Sequence, residues 1–525
     1  MKKLLSFITI AGLIMCSIFS FVGCKEKYNY YEVPKKSYAE GEEFLQGCGN
    51  YNNGYDKESE EVDRLISVLP SEKQLDYLEL EYYNFIHFGM NTMTGKEWGT
   101  GKESPSKFNP KNLDTDQWCE AIKASGSKGI IFTAKHHDGF CLWQTKTTEH
   151  SIKNSPYKDG KGDIVKELSE SCKKYGLKFG IYLSPWDMNA ECYGTNEYND
   201  FYKAQLRELL CGDYGEIFCV WMDGARGEDA ELDPDFEYDM EGYEQLVNDL
   251  QPGCVIAIQG TDVRWVGNEA GIARESEWSV VSMSNAASEH FQTSEDGADE
   301  LQTVSAEAED RGSRELLANY KDLAFYPAEV DVSIRKGWFY HWNQNPKSLD
   351  QLLQIYFTSV GGNSSLLLNV PPNKDGLIAE KDVKVLKKFG DAIAATTKNK
   401  IEVSKVEAGD CDGMTEKSEL VNLLNTERDG YTFASNEYIL DFYLKEPTSL
   451  YRFDIREDLR SSQRVEEFEV WVRADGKWKL IGDSTVIGNR RILMFENAPV
   501  CDVVRVVIKQ SRSVPVIRCV ELYSR

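Results

Sequence analysis

Between residues 66 and 395, short apolar runs alternate with longer segments of mixed polarity. YYNFIHFG (82–89), GIIFTAK (129–135), KFGIYLS (178–184), IFCVWMD (217–223), CVIAIQG (254–260) and SLLLNVPP (365–372) each have the length and β-branched or aromatic content of a strand buried on both faces. Between two of them, DIVKELSESCKKYG (163–176) repeats its apolar residues Ile164, Val165, Leu168 and Cys172 at helical spacing and stops at Gly176. Continuous apolar strands separated by helices predict a parallel sheet covered on both sides. Six or more such units over this length predict an α/β fold of the (β/α)8-barrel type, with a doubly wound open sheet as the alternative. No GxGxxG follows the first strand, which weakens the dinucleotide-binding form of that alternative.

The pattern changes over 400–525. EEFEVWVRADGKWKLIG (466–482) reads as two alternating strands around Asp475-Gly476, a favoured tight-turn pair. RVEEF, RILMFE and DVVRVVIKQ supply further strands without helical periodicity, so this region is expected to be an all-β sandwich.

At the other end, Lys2 and Lys3 precede an almost wholly apolar stretch over 4–22, followed by Gly23 and Cys24. A membrane-spanning anchor is the competing reading, but residues 1–24 resemble a bacterial lipoprotein signal, in which the cysteine after a small residue is acylated. FVGC fits that box loosely, with Phe21 where leucine is commoner. Cys24 is the expected lipidation site, and the mature chain is expected to be exported to the periplasm or cell surface, held to the membrane by acyl chains alone. Residues 25–65, rich in Tyr, Glu, Lys, Gly and Asn, are expected to be a polar tether.

A formal charge of −26 argues against nucleic acid or an anionic membrane surface as the main partner. A neutral sugar is compatible with that charge, and 11 Trp and 27 Tyr supply flat faces on which sugars stack. Of the 13 cysteines, those beyond Cys16 and Cys24 form no CxxC pair and are expected to act mostly as small buried hydrophobes, with no zinc site.

In a barrel of this kind, functional side chains gather at the C-terminal ends of the strands. There the sequence places His87, then Lys135-His136-His137-Asp138, then Tyr182 and Trp186, then Trp221 and Asp223. Three of the six histidines fall at two strand ends. Adjacent His136 and His137 would face opposite ways in a continuing strand, so both reach one pocket only if the chain has already turned, as Asp138-Gly139 favours. The HH pair is not the HxH of binuclear metal hydrolases, and no metal is expected.

FIHFGMNTMTGKEWG, AKHHDGFCLW, FGIYLSPWD, VWMDGA, RWVGNEAG and LLLNVPPNKDG, in this order over about 310 residues, together resemble the retaining α-L-fucosidases of glycoside hydrolase family 29. RWVGNE and the trailing sandwich, which looks like the discoidin-type modules beside many glycosidases, resemble the subgroup selective for α-1,3 and α-1,4 fucosyl linkages in branched, Lewis-type glycans. The resemblance implies an exo-acting enzyme on fucosylated oligosaccharides or glycoprotein glycans, with no cofactor. Asp223 matches the nucleophile, with histidines nearby to hold its charge. Glu269, Glu275 and Glu277 are the candidates for the acid/base, and Glu269 is the motif match, its pKa raised by the negative nucleophile. Glu275 and Glu277 otherwise read as solvated loop carboxylates beside Arg274. His87, Glu97, Trp98, His136, His137 and Tyr182 resemble residues that grip fucose, with Trp221 beneath the nucleophile strand, Arg264 reaching the sugar from the next strand end and Trp338 near its apolar face. A barrel glycosidase of other sugar specificity, or a glycan-binding surface lipoprotein without turnover, are the alternatives. The C-terminal sandwich is compatible with binding sugar or with packing on the barrel.

Overall fold

The computed structural model describes residues 60–227, 232–287, 310–426 and 429–525. The expected signal segment, Cys24 and most of the expected tether lie outside the described residues. Residues 60–65, which the sequence assigns to the tether, are folded instead: Glu60–Ile66 is a helix with Val62 and Leu65 buried. Arg64 of that helix donates to the carbonyls of Leu317 (2.8 Å) and Tyr320 (2.7 Å), so the folded part has begun by residue 60.

The first ten strands in chain order are β1 (Tyr82–Ile86), β2 (Gly129–Lys135), β3 (Lys178–Leu183), β4 (Ile217–Met222), β5 (Val255–Ile258), β6 (Arg264–Trp265), β7 (Val280–Ser282), β8 (Leu323–Phe325), β9 (Ala328–Ser333) and β10 (Ser365–Asn369). Eight of them pair in the order β5-β4-β3-β2-β1-β10-β9-β6, all parallel. A single parallel bridge, Ala257 to Val263, with Ile258 N–H donating to Val263 O at 2.9 Å, joins β5 to β6 and closes the ring. β7 and β8 form a separate antiparallel ribbon between β6 and β9. The barrel is the predicted one; the open sheet is excluded.

Strand side chains alternate between two cores, as a period of two requires. Tyr83 and Phe85 of β1, Ile131 of β2, Tyr182 of β3, Cys219 and Trp221 of β4, Val255 and Ala257 of β5 and Leu367 of β10 fill the barrel interior. Their neighbours in sequence, such as Ile130, Phe132, Ile181 and Val220, pack outward against the helices. Helix Ile164–Tyr175 shows how such a helix is set. Asp163 caps it by accepting from Lys166 N (2.9 Å), Gly176 ends it at φ 69°, and Ile164, Val165, Leu168 and Cys172 are buried against the strands.

Beyond residue 398 the chain folds into a five-stranded and a six-stranded antiparallel sheet enclosing a second apolar core. The expected hairpin joins Val465–Ala474 to Lys477–Ser484 through Asp475 and Gly476, both at positive φ (54° and 74°), as a tight hairpin turn demands. The sandwich meets the barrel through charge. Glu81, just before β1, pairs with Arg456 (2.5 Å) and Arg490 (2.6 Å), and Arg490 also pairs with Asp454 (2.5 Å). Burial pushes the Glu81 carboxyl up, but the charges of Arg490 and Arg456 outweigh it and hold it at about 2.

Candidate active site

Asp223 follows β4 by one residue and shares the parity of Cys219 and Trp221, so the pleat aims it into the mouth of the barrel. Its Oδ2 accepts from the Tyr182 hydroxyl at 2.9 Å and its Oδ1 from Ala225 N at 2.8 Å. The Tyr182 ring stacks on Trp221, centroids 5.3 Å apart and planes 19° apart. The Trp221 indole N–H in turn donates to Glu329 Oε1 on β9 at 2.7 Å. A buried ladder thus runs from the barrel floor to the carboxylate and fixes its direction.

His136 and His137 both turn towards this mouth, with ring centroids 4.1 Å apart. β2 ends at Lys135, and the chain reverses immediately: Gly139 N–H bonds His136 O at 2.9 Å. Gly139 sits at φ 76°, where a side chain would also drive into Asp187 Oδ1. The turn resolves the problem of two adjacent histidines on one side.

The histidines support the carboxylate differently from the sequence expectation. His137 Nε2 lies 3.8 Å from Asp223 Oδ2, too far for a hydrogen bond. Burial lowers the pKa of all three imidazoles, to about 3 for His87, and overrides the pull of Asp223 on His137. They stand neutral. Ser184 Oγ donates to Trp186 O (2.6 Å), so His137 Nδ1 must donate to Ser184 (2.7 Å), which leaves its Nε2 an acceptor. Likewise Asn369 spends its N–H groups on Ser333 Oγ (2.9 Å) and Trp338 O (2.7 Å), so its Oδ1 accepts from His87 Nδ1 at 3.0 Å. The free Nε2 atoms of both rings are acceptors for hydroxyl groups.

Glu269 lies in the loop after β6 and receives the Trp338 indole N–H on Oε2 at 3.2 Å. Its side chain is open to solvent at the cleft rim, yet the surrounding protein displaces enough water to raise its pKa. The carboxyl is pushed up to about 7, by desolvation first and, against the lowering hydrogen bond from Trp338, by the charges of Asp223 and Glu97, so the Asp223 charge is not the leading cause. Asp331 on β9 also feels Glu269, and burial raises it well above the carboxylate range.

Glu97 is committed to the protein. Its Oε2 accepts from Trp338 N (2.8 Å) and Phe339 N (3.2 Å), and its Oε1 meets His341 Nε2 at 2.8 Å. It therefore sets the loop that carries Trp338, and Gly337 allows this approach, since a Cβ there would collide with Glu97 Oε1. Trp338 lies 5.1 Å from the His87 ring, and the half-exposed Trp98 stands edge-on to Trp186 (5.7 Å) and His137 (6.2 Å).

Two expectations are corrected. Arg264 does not reach the mouth: it is 1% exposed and bonded to Glu277, to Trp278 O (3.1 Å) and to Tyr326 O (3.0 Å). Glu277 is not a solvated loop carboxylate. It is buried, and although burial pushes its pKa up, the charges of Arg264 and Arg274 outweigh that and lower it. Glu275 is exposed, as expected. Arg264→Met would leave the buried Glu277 carboxylate with only the longer 3.4 Å pair to Arg274, and unfolding in denaturant should show a loss of up to about 3–5 kcal/mol. A raised KM with unchanged stability would instead return Arg264 to the sugar.

Sequence reasoning missed His341, Asn369, Ser333, Glu329 and Asp331. The alternation Glu329-Val330-Asp331-Val332-Ser333 was the available signal, a strand whose polar face lines the barrel. Among the described residues, no group of three or more His, Cys, Asp or Glu is arranged to hold a metal ion.

Comparison with known proteins agrees with this geometry. The Alpha-L-fucosidase family model matches residues 73–397. Alpha-L-fucosidase 1 of Arabidopsis thaliana is 39% identical over 471 residues, covering 87% of this chain and 88% of its own. The structure of a Ruminococcus gnavus GH29 fucosidase in complex with fucose superposes with a TM-score of 0.73 at 29% identity, covering 87% of this chain and 95% of that one. SpGH29 gives 0.75 at 35% identity, with 87% and 98% covered. With a matched family model, relatives aligned along most of their length and a barrel-mouth pair of carboxyl groups, the chain belongs to the α-L-fucosidases of glycoside hydrolase family 29 and is a glycoside hydrolase.

Proposed function

We propose that this enzyme is an exo-acting, retaining α-L-fucosidase that prefers α-1,3- and α-1,4-linked fucose in branched, Lewis-type glycans. The observation that carries the chemistry is the contrast between its two carboxyl groups. Asp223 is held in place by two hydrogen-bond donors, the Tyr182 hydroxyl and Ala225 N, whereas Glu269 is pushed up to about 7 and keeps its proton. Asp223 attacks the anomeric carbon and the bond from that carbon to the leaving oxygen breaks. Glu269 gives its proton to that oxygen. A water then loses a proton to Glu269 and attacks the same carbon, which frees Asp223 and releases fucose with its configuration retained. The neutral His87 and His137 accept from sugar hydroxyls, and aromatic rings meet the apolar face.

The preference for branched glycans is supported by what surrounds the cleft rim. Trp342 is 86% exposed and belongs to a loop that is otherwise firmly held. Arg335, paired with Asp382 at 2.9 and 3.0 Å, donates to Gln344 O at 2.6 Å, while Glu97 holds positions 338, 339 and 341. An exposed indole on the same firmly held loop as Trp338, which bonds Glu269, is suited to stacking on a sugar beyond the fucose. Fucose release from a branched Lewis-type trisaccharide should therefore greatly exceed that from a linear α-1,2-fucosylated trisaccharide. Equal release from both would keep the fucosidase and discard the linkage preference.

A further inference from the structure

The loop that carries Glu269 is gripped by the C-terminal sandwich. Inside the loop, Arg274 donates to Val266 O (2.9 Å), and Asn268 accepts from Ala270 N (3.0 Å) and donates to Ile272 O (2.9 Å). These bonds brace the turn on which Glu269 sits. Just downstream, side chains from three separate parts of the sandwich address the main chain over 275–279. Thr485 Oγ1 donates to Glu275 O at 2.9 Å, and Arg491 donates to the same carbonyl at 3.1 Å. The fully buried Gln463 accepts from Ser279 N at 2.8 Å and donates to Glu277 O at 3.5 Å. From the barrel side, Asn363 donates to Glu277 O at 2.8 Å and accepts from Asn489 N of the sandwich at 2.6 Å.

The direction of these contacts matters. They hold backbone atoms, so they fix where the segment runs whatever its side chains are. Within that segment the Glu277 carboxylate ties back to Arg264 on β6, the strand from which the loop departs. Arg274 joins the same carboxylate. The loop is thus anchored to its own strand at one end and to the sandwich at the other, with Glu269 between the two anchors.

We propose that the sandwich is a working part of the active site: Gln463, Thr485 and Arg491 are positioning residues that hold Glu269 at the distance from which it protonates the leaving oxygen. The proposal rests on Glu269 being the general acid. Misplacing an acid slows only reactions that need its proton. A sugar leaving group, a poor one, depends on that proton; 2,4-dinitrophenolate or fluoride departs without it.

The test uses the full chain with Gln463→Leu and Thr485→Val, separately and together. For each, kcat/KM is measured on a fucosylated oligosaccharide and on 2,4-dinitrophenyl fucoside, with Glu269→Gln as the control. Thr485 lies at the surface of the contact, so Thr485→Val keeps the test available if Gln463→Leu does not fold. The expected result is a loss of about ten-fold or more on the oligosaccharide, part of the roughly 10²–10⁴ that general acid catalysis supplies. The aryl fucoside should change by less than about two-fold, by the same reasoning. Equal losses on both substrates, or no loss on either, overturn the positioning role. A Glu269→Gln control without leaving-group dependence would count against the acid assignment itself, an outcome separate from failure of the sandwich contacts.

Discussion

Asp223→Gly is expected to reduce turnover on every fucoside by about 10⁴–10⁶-fold, the range seen when a covalent nucleophile is removed. In the proposed mechanism the product of the first step is a bond to this carboxylate, so no better leaving group should compensate. The cavity left by the side chain lies on the face opposite the leaving group, so added azide should enter there and restore part of the rate. It should yield β-L-fucosyl azide, of inverted configuration, identifiable by NMR. The donors that served Asp223 Oδ2 and Oδ1, the Tyr182 hydroxyl and Ala225 N, remain in place to receive an anion. If azide instead gave the α-anomer, Asp223 would not be the nucleophile and the barrel mouth would need another.

Asp223 is legible in the sequence alone while other residues of the site are not, and the pleat explains the difference. In IFCVWMD the inward positions are Cys219, Trp221 and Asp223, and a run of apolar neighbours on both sides fixes the strand's identity. The same regularity marks β1, β2 and β3. β6 has only two residues, and two residues carry no periodicity. Its inward member is Trp265, whose indole N–H bonds Asp331 Oδ1 at 2.7 Å, so Arg264 must face outward to Glu277. Choosing the wrong member of a two-residue strand sends a side chain to the opposite face, and this reversed the expected place of Arg264. β9 is hidden for a different reason. Its inward residues Glu329, Asp331 and Ser333 are polar because they support indole and amide groups beneath the site, and polar residues in a central strand mimic a loop. His341 and Asn369 act on Glu97 and His87 over separations of 244 and 282 residues, contacts that only the closed barrel creates.

Glu269→Ala tests the other carboxyl, and its effects should depend on substrate and pH in ways that Asp223→Gly does not share. On an oligosaccharide the loss should be about 10²–10⁴-fold, the share that proton donation supplies, and much smaller on 2,4-dinitrophenyl fucoside. The glycosyl-enzyme still forms with the aryl substrate, so azide should intercept it from the face of the departed aryl group and give α-L-fucosyl azide, with configuration retained. The pH dependence follows from the same group. In its proposed role Glu269 works as an acid only while protonated, and desolvation together with the charges of Asp223 and Glu97 pushes its pKa up to about 7. Wild-type kcat/KM on the oligosaccharide should therefore fall about ten-fold per unit above that pH. In Glu269→Gln the alkaline fall should vanish from the residual activity, because no proton remains to be lost at that position. Trp338 offers a finer check. Its indole N–H bonds Glu269 Oε2 at 3.2 Å and favours the anion, so Trp338→Phe should move the alkaline limb to higher pH. A limb that stayed in place in both variants would belong to another group, and Glu269 would lose its assignment as the acid.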